Sequence, residues 1–446
     1  MRKLYAYCFC ASALMLPFMN SIEVFRKILY PLGSGFFLFS CIGIFLWGIS
    51  VRNSKILFFS RYVSLSIVLF VISIMVSGIV NLENMLTLEW QTVLGLNRFL
   101  MGLLLVIVQF FISTYIYNVW LNSEYIHTLF IRCLLYGFLI SAIVGVIEVI
   151  SMFSILDASY VLSVIDFLYR GELGRQAFRV SSVAGEPSFY AIYLGFVAPF
   201  LLYEYYKRGS MIILFGINLF LLMILGTYSR TAYGIVLLEF LIFIIFFFKE
   251  IFRAKLKYTR NLVVIEALII VIVVKCFSID FIGDILGVFY TLMGDNAWAQ
   301  MSNLTRLGSS IAALNIFYDN LLLGIGYDQF AYFASYYYPD WAYKSMEIQN
   351  LSVNYTSRSF WPSVYNYYAR LLCEVGIIGF FSFVLLIISI SRETCKALML
   401  LNNDRIKVLF ISFLASCLSM LSGSDLPDVF CLSFALLLAE IKLSAI

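Results

Sequence analysis

Apolar runs of about 20 residues recur from one end of the chain to the other, each long enough to cross a hydrocarbon core roughly 30 Å thick. SLSIVLFVISIMVSGIV (64–80) and GIIGFFSFVLLIISI (376–390) are two of them. Lipid offers no water to satisfy a backbone N–H or C=O, so such runs fold as helices that close their own hydrogen bonds. Composition points the same way: 62% hydrophobic, 18% aromatic and 13% charged lies far outside the range of soluble globular domains. The expected fold class is an all-α polytopic membrane protein, one integral membrane domain over residues 1–446 without internal repeats.

Twelve transmembrane segments are expected, near 4–20, 32–51, 62–80, 99–120, 132–153, 187–204, 211–228, 231–248, 262–282, 363–390, 407–422 and 429–446. The first, within MRKLYAYCFCASALMLPFM, lacks a small-x-small cleavage site and is read as a span. Lys and Arg fix the orientation. Arg2/Lys3, Arg52/Lys55/Arg61, Lys207/Arg208, KEIFRAKLKYTR (249–260) and Arg392/Lys396/Arg405/Lys407 alternate onto one side, which places both termini in the cytoplasm. Two long external loops result, 154–186 and 283–362, and the second is long enough to fold as a subdomain. The nine cysteines fall in spans or on the inner side, so no disulfide framework is expected in those loops.

The external charges carry the functional information. RVSSVAGEPSFYAIYLGF (179–196) sets Arg179 and Glu186 at the mouth of an apolar segment, and Arg170 and Arg175 stand just upstream. Arg230 lies in the tight turn GTYSRTAYG (226–234), and Arg306 opens TRLGSSIAALNIFYDN, where Leu307, Ile311 and Leu314 follow helical spacing. Two readings of these arginines stay open. They either snorkel to outer headgroups, or use their planar forks to bind phosphate. For Arg306, a position in the first helical turn would add free N–H groups to an anion site. Glu186 is either a residue of the helix N-terminus, with Pro187 at the first helical position, or a general base. Partial desolvation would raise its pKa and neighbouring arginines would lower it. YDQFAYFASYYYPDWAYK (327–344) reads as an interfacial aromatic belt or as a sugar-stacking platform. Glu148, Glu239, Glu266, Lys275 and Glu374 are candidate intramembrane charges.

Absences narrow the chemistry further. His127 is the one histidine, on the cytoplasmic side of the expected topology, and GxxxxGK[ST], Asp-x-Asp and HExxH motifs are missing. External chemistry is therefore expected to run on Arg, carboxylate, Tyr and amide groups, without ATP, cofactor or metal. Transfer from an activated, pyrophosphate-linked lipid donor suits that set.

Four segments in order resemble the bacterial O-antigen polymerases (Wzy), within the wider O-antigen ligase/polymerase superfamily. GEPSFYAIYL (185–194) is similar to the family's Glu-Pro-Ser helix start, and GTYSRTAYG to its Ser-x-Ser-Arg turn. TRLGSSIAALNIFYDNLLLGIGYDQF (305–330) resembles the Arg-helix-Gly-x-Gly segment, and SVYNYYARLLCEVGIIGFF (363–381) the His-Asn…Glu-x-Gly stretch. Tyr365-Asn366 replaces the ligase-type His-Asn, which favours polymerase over ligase. The resemblance implies a GT-C-like, metal-independent glycosyltransferase at the periplasmic face of the inner membrane. Its donor and acceptor would be undecaprenyl-pyrophosphate-linked glycans, its partners membrane lipids and a chain-length regulator protein, with no nucleic acid. Glu186 would act as base and Arg179, Arg230 and Arg306 would stabilise the departing pyrophosphate. Arg170, Arg175, Tyr365 and Asn366 would bind substrate. A ligase, another lipid-linked glycan transferase and a lipid-linked oligosaccharide flippase are the alternative functions. Inverted repeats, which a transporter typically shows, are not evident in the sequence.

Overall fold

The computed structural model describes residues 4–19, 34–50, 56–90, 93–122, 124–152, 159–169, 179–253, 301–353, 361–401 and 403–445. The chain begins with α1 (Leu4–Leu14) and α2 (Gly35–Ser50), which pack together. Then come α3 (Arg61–Val80), the short α4 (Leu82–Thr87), a hairpin of β1 (Glu89–Trp90) and β2 (Val93–Leu94), and α5 (Gly95–Leu121). α6 (Glu124–Met152) turns back beside α5, and α7 (Ser159–Tyr169) follows. α8 (Pro187–Arg208), α9 (Met211–Gly226) and α10 (Arg230–Arg253) pack as neighbours. α11 (Met301–Asp319), α12 (Phe330–Tyr337) and α13 (Met346–Val353) precede the final three, α14 (Tyr367–Leu400), α15 (Asp404–Ser419) and α16 (Asp428–Ser444).

Each segment expected to span, except 262–282, contains one of these helices, and 262–282 lies outside the described residues. α3, α5, the 125–152 part of α6, and α14 are long and apolar enough to cross a membrane. Helices outrun their apolar stretches where polar turns continue the same hydrogen-bond ladder. α6 starts at Glu124 rather than 132, and α14 runs to Leu400 past Arg392, Glu393 and Lys396. Outward residues of α3 such as Leu65, Val68, Ile72 and Ile79 are exposed, a surface that water would not tolerate and acyl chains would.

The main core lies where α14, α15 and α16 meet α3 and α5. Phe383 of α14 packs against Phe70 of α3 and Phe430 of α16, with ring centres 5.2 and 5.7 Å away. A second, smaller core belongs to the predicted 283–362 loop and the segment after it. Ala312, Ile316, Phe330, Ala334, Tyr338, Ala342 and Ile348 bury one another there, with Val364 and Cys373. Much of the aromatic stretch 327–344 is used in this packing. Phe330 and Tyr338 meet edge to face at 6.4 Å, and the Tyr343 hydroxyl donates to Ser335 O at 2.8 Å.

α14 is broken at Gly376, whose backbone stands at φ 66°, ψ −169°. The break frees carbonyls and amides that lipid cannot satisfy, and the 321–326 turn takes them up. Ile325 N donates to Cys373 O at 3.1 Å, Gly326 N to Glu374 O at 2.9 Å, and Ile377 N to Leu321 O at 2.9 Å. The backbones approach so closely that a Cβ on Gly376 would stand 2.4 Å from Leu322 C and O, and one on Gly324 2.5 Å from Cys373 O. The Gly-x-Gly and Glu-x-Gly motifs are thus two halves of one clasp. The broken helix is a feature transporters use to form sites, but this break is filled by protein backbone.

Candidate active site at one end of the bundle

The clasp brings a set of charges with it. The Glu374 carboxylate accepts from Asp328 N at 2.8 Å and Phe330 N at 3.2 Å, so it satisfies amides at the start of α12. Arg370, buried one turn earlier, gives Nε to Glu374 at 2.9 Å, Nη2 to Asp328 at 2.8 Å and Nη1 to Asp425 at 2.5 Å. Arg98 completes the group through Asp328 at 2.9 Å and lies 4.6 Å from the Trp361 ring centre. The guanidinium of Arg370 is spent on three carboxylates, so this network is a fastening between the α11–α13 subdomain and the long helices.

Beside it, residues 179–186 form a folded turn. Val180 N donates to Gly226 O at 2.7 Å and Arg179 Nε to Thr227 O at 3.1 Å, which ties the turn to the α9–α10 connection. That connection is tight enough to hold Tyr228 at φ 48°, and Arg230 opens α10 directly after it. From below, the carboxylate of Glu148 accepts from Ser181 N at 3.1 Å, Ser181 Oγ at 3.0 Å and Ser182 N at 2.8 Å. Two amides and a hydroxyl converge on one carboxylate, which explains a charge buried in a membrane helix. Sequence reading singled out Glu148 only for its position and missed this task.

Glu186 occupies the N-cap position of α8 with Pro187 next to it, yet its carboxylate makes no cap hydrogen bond. The side chain is half-buried and accepts from Ser188 Oγ at 3.2 Å. The backbone thus serves the helix start, and the carboxylate is left over for another purpose.

Arg306, Tyr365 and Glu347 assemble from three further elements. Arg306 lies more than a turn inside α11, which is already helical at Met301. The expectation of a first-turn cation beside free N–H groups is therefore corrected: the amide of Arg306 lies beyond the unpaired first four. Its guanidinium carbon sits 5.5 Å from the Tyr365 ring centre. The Tyr365 hydroxyl donates to Glu347 Oε1 at 2.6 Å. Burial, then the Glu347 carboxylate, pushes the Tyr365 phenol well up, with Glu186 adding to the rise and Arg306 opposing it. Glu186 is therefore close enough to Tyr365 for its charge to act there. Thr305 and Ser345 hydroxyls meet at 2.6 Å and hold the start of α13 against α11.

Of the residues singled out in the sequence, Arg306 and Tyr365 meet, and Glu186 lies near enough for its charge to act on the phenol. Arg179 lies against the α9–α10 turn through Thr227 O. The Arg230 side chain, Arg170 and Arg175 lie outside the described residues. Asn366 caps α14, its Oδ1 accepting from Tyr368 N at 3.1 Å and Ala369 N at 3.2 Å. Glu347 escaped sequence reading, because 18 residues separate it from Tyr365 and no motif surrounds it. His127 sits at the other end of α5 from Gly95, stacked on Trp120 at 4.0 Å. A 27-residue helix spans about 40 Å at 1.5 Å per residue, which removes the histidine from the cluster.

An all-helical bundle with membrane-length apolar helices and a half-buried arginine–carboxylate–tyrosine cluster at one end defines a multi-pass membrane protein with a polar terminal site. Residues 215–384 match the Wzy_C family model, described as O-antigen ligase. That stretch holds Arg230, Arg306, Glu347, Tyr365 and the whole clasp, and it stops short of Arg179 and Glu186. It covers under half of the 446 residues, so the likeness is to that family over this part of the chain. No curated protein matches the chain.

Proposed function

We propose that this chain is a glycosyltransferase acting on lipid-linked glycans in a bacterial inner membrane. More narrowly, it is an O-antigen polymerase that joins undecaprenyl-pyrophosphate-linked repeat units at the outer face. The observation that carries this reading is the meeting of Arg306, Tyr365 and Glu347 inside the family-matched stretch, with Glu186 near enough for its charge to act on the phenol.

An acceptor sugar hydroxyl attacks the anomeric carbon of the donor glycan. The bond from that carbon to the diphosphate oxygen breaks, and its electron pair leaves with undecaprenyl pyrophosphate. Glu186 takes the hydroxyl proton. Arg179, Arg230 and Arg306 stabilise the charge that develops on the departing pyrophosphate, and Arg170 and Arg175 extend the same basic surface. Asn366 contributes through its amide nitrogen, since its oxygen caps α14. Membrane lipids surround the bundle, and a chain-length regulator protein is the expected partner.

A second reading, O-antigen ligase, is favoured by the description attached to the matching family model. Tyrosine at position 365 and the remote His127 speak for polymerase. Purified protein offered both lipid A core and lipid-linked repeat units discriminates: polymers of repeat units support the proposal, and transfer to lipid A core alone replaces it with ligase. Glu186→Gln and Arg306→Ala are each expected to cut the transfer rate about 10²–10³-fold, the usual effect of removing one transition-state contact. Normal long-chain ladders from both variants, at normal membrane levels, would sink these roles.

A further inference from the structure

Tyr365 and Glu347 form a pair to which the transfer chemistry above gives no task. A phenol carries one proton, and at 2.6 Å from Glu347 Oε1 that proton is committed to the carboxylate. What remains on Tyr365 Oη is lone-pair capacity, so toward any ligand the residue is an acceptor. Arg306 lies against the ring and fixes its plane without competing for the hydroxyl, since a guanidinium only donates. Glu186 nearby offers carboxyl oxygens as acceptors as well. The cluster therefore presents two acceptors beside one cation. A glycan hydroxyl is a donor that fits the first kind of group, and a phosphate oxygen fits the cation.

Both members of the pair are half-buried, neither fully in water nor sealed in the core. Glu347 is held by the packing of its helix start, through the Thr305–Ser345 contact to α11. The same helix, α11, carries Arg306. Tyr365 N also donates to Ser309 Oγ of α11 at 3.5 Å, so the phenol, its carboxylate partner and the cation are all tied to that helix.

We infer that Glu347 is a positioning residue that turns Tyr365 into a hydrogen-bond acceptor for one donor hydroxyl of the sugar being joined. The pair thereby selects glycans with a free hydroxyl at that point. The inference rests on the transferase reading.

The test uses the full-length protein in proteoliposomes, with lipid-linked repeat units extracted from the cells that encode it. Tyr365→Phe keeps the ring under Arg306 and removes the hydroxyl, with both its acceptor capacity and its bond to Glu347. Tyr365→Phe and Glu347→Ala are each expected to raise KM for the lipid-linked substrate about tenfold with kcat within about threefold, the size of one hydrogen bond. The double variant is expected to be no worse than either single one, because both remove the same contact. Glu347→Gln, whose amide oxygen still accepts the phenol proton, is expected to recover most of the loss. Unchanged KM in both single variants, additive losses in the double variant, or a fall in kcat and thermal stability without a KM change would each overturn the pairing. No transfer by the wild-type protein would overturn the transferase reading itself, and the pairing with it. Wild-type transfer alongside variants of normal KM would overturn the pairing alone.

Discussion

Glu148 illustrates how one side chain sets the local geometry of the site. Its carboxylate holds the two amides of Ser181 and Ser182 beneath the turn that leads to Glu186, and Ser182 is kept at φ 51°. Glu148→Ala leaves those buried donors unpaired, at about 1–3 kcal/mol for each unsatisfied group. The expected outcome is a lower thermal midpoint in detergent together with faster hydrogen exchange at the 181 and 182 amides. Unaltered exchange there would show that something else holds the turn. Tyr365 also has a pH signature. Its phenol is raised in the folded state, so the unfolded chain ionises first as pH climbs through the ordinary tyrosine value of 10.0. Stability from this group is full below that value and falls above it. Tyr365→Phe is expected to soften the alkaline loss of stability, measured as thermal midpoint against pH from 9 upward.

Among the elements, α14 has the most demanding construction. A 34-residue helix with a left-handed residue in it holds only if another segment satisfies the break, and the 321–326 turn does so. Gly376→Ala is expected to be strongly destabilising. The backbone conformation alone costs about 1–3 kcal/mol for a residue with a side chain, and the new Cβ would strike Leu322 at 2.4 Å. Yield of folded protein and thermal midpoint measure it, and a wild-type midpoint would mean that the clasp can open at little cost. The helices themselves were legible in the sequence, since an apolar run of membrane length is a local property. Their ends were less so. Polar turns extended α6 and α14 past the hydrophobic boundary, and the early start of α11 removed Arg306 from the first turn.

Among the described residues, two networks of charged and amide groups stand apart at different ends of the bundle. At one end Trp120 Nε1 donates to Glu440 at 2.9 Å, and Asn403 Nδ2 donates to the same carboxylate at 3.2 Å. At the other end the Arg98, Asp328, Arg370, Glu374 and Asp425 network fastens the α11–α13 subdomain to α5 and α14. Arg370→Met would leave Glu374 buried without its cation and Asp328 with Arg98 alone, a loss of about 3–5 kcal/mol when one partner of a buried pair is removed. The expected result is proteolytic cleavage within 301–353 while the membrane-length helices stay protected. Equal resistance of variant and wild type would contradict the fastening role.

Hydrophobic run length and composition determined by themselves that this chain is a helical membrane protein and where most of its helices lie. Those properties are local, because each helix satisfies its own backbone whatever packs beside it. Which charges serve the site and which fasten the fold was decided only by the tertiary structure. Glu374 meets Phe330 across 44 residues, Glu148 meets Ser181 across 33, and Glu347 meets Tyr365 across 18. No periodicity encodes such meetings, because they depend on how helices far apart in the chain pack. Packing spent Glu148 and Glu374 on backbone amides and left the Glu186 carboxylate, whose charge reaches Tyr365, without a cap to make.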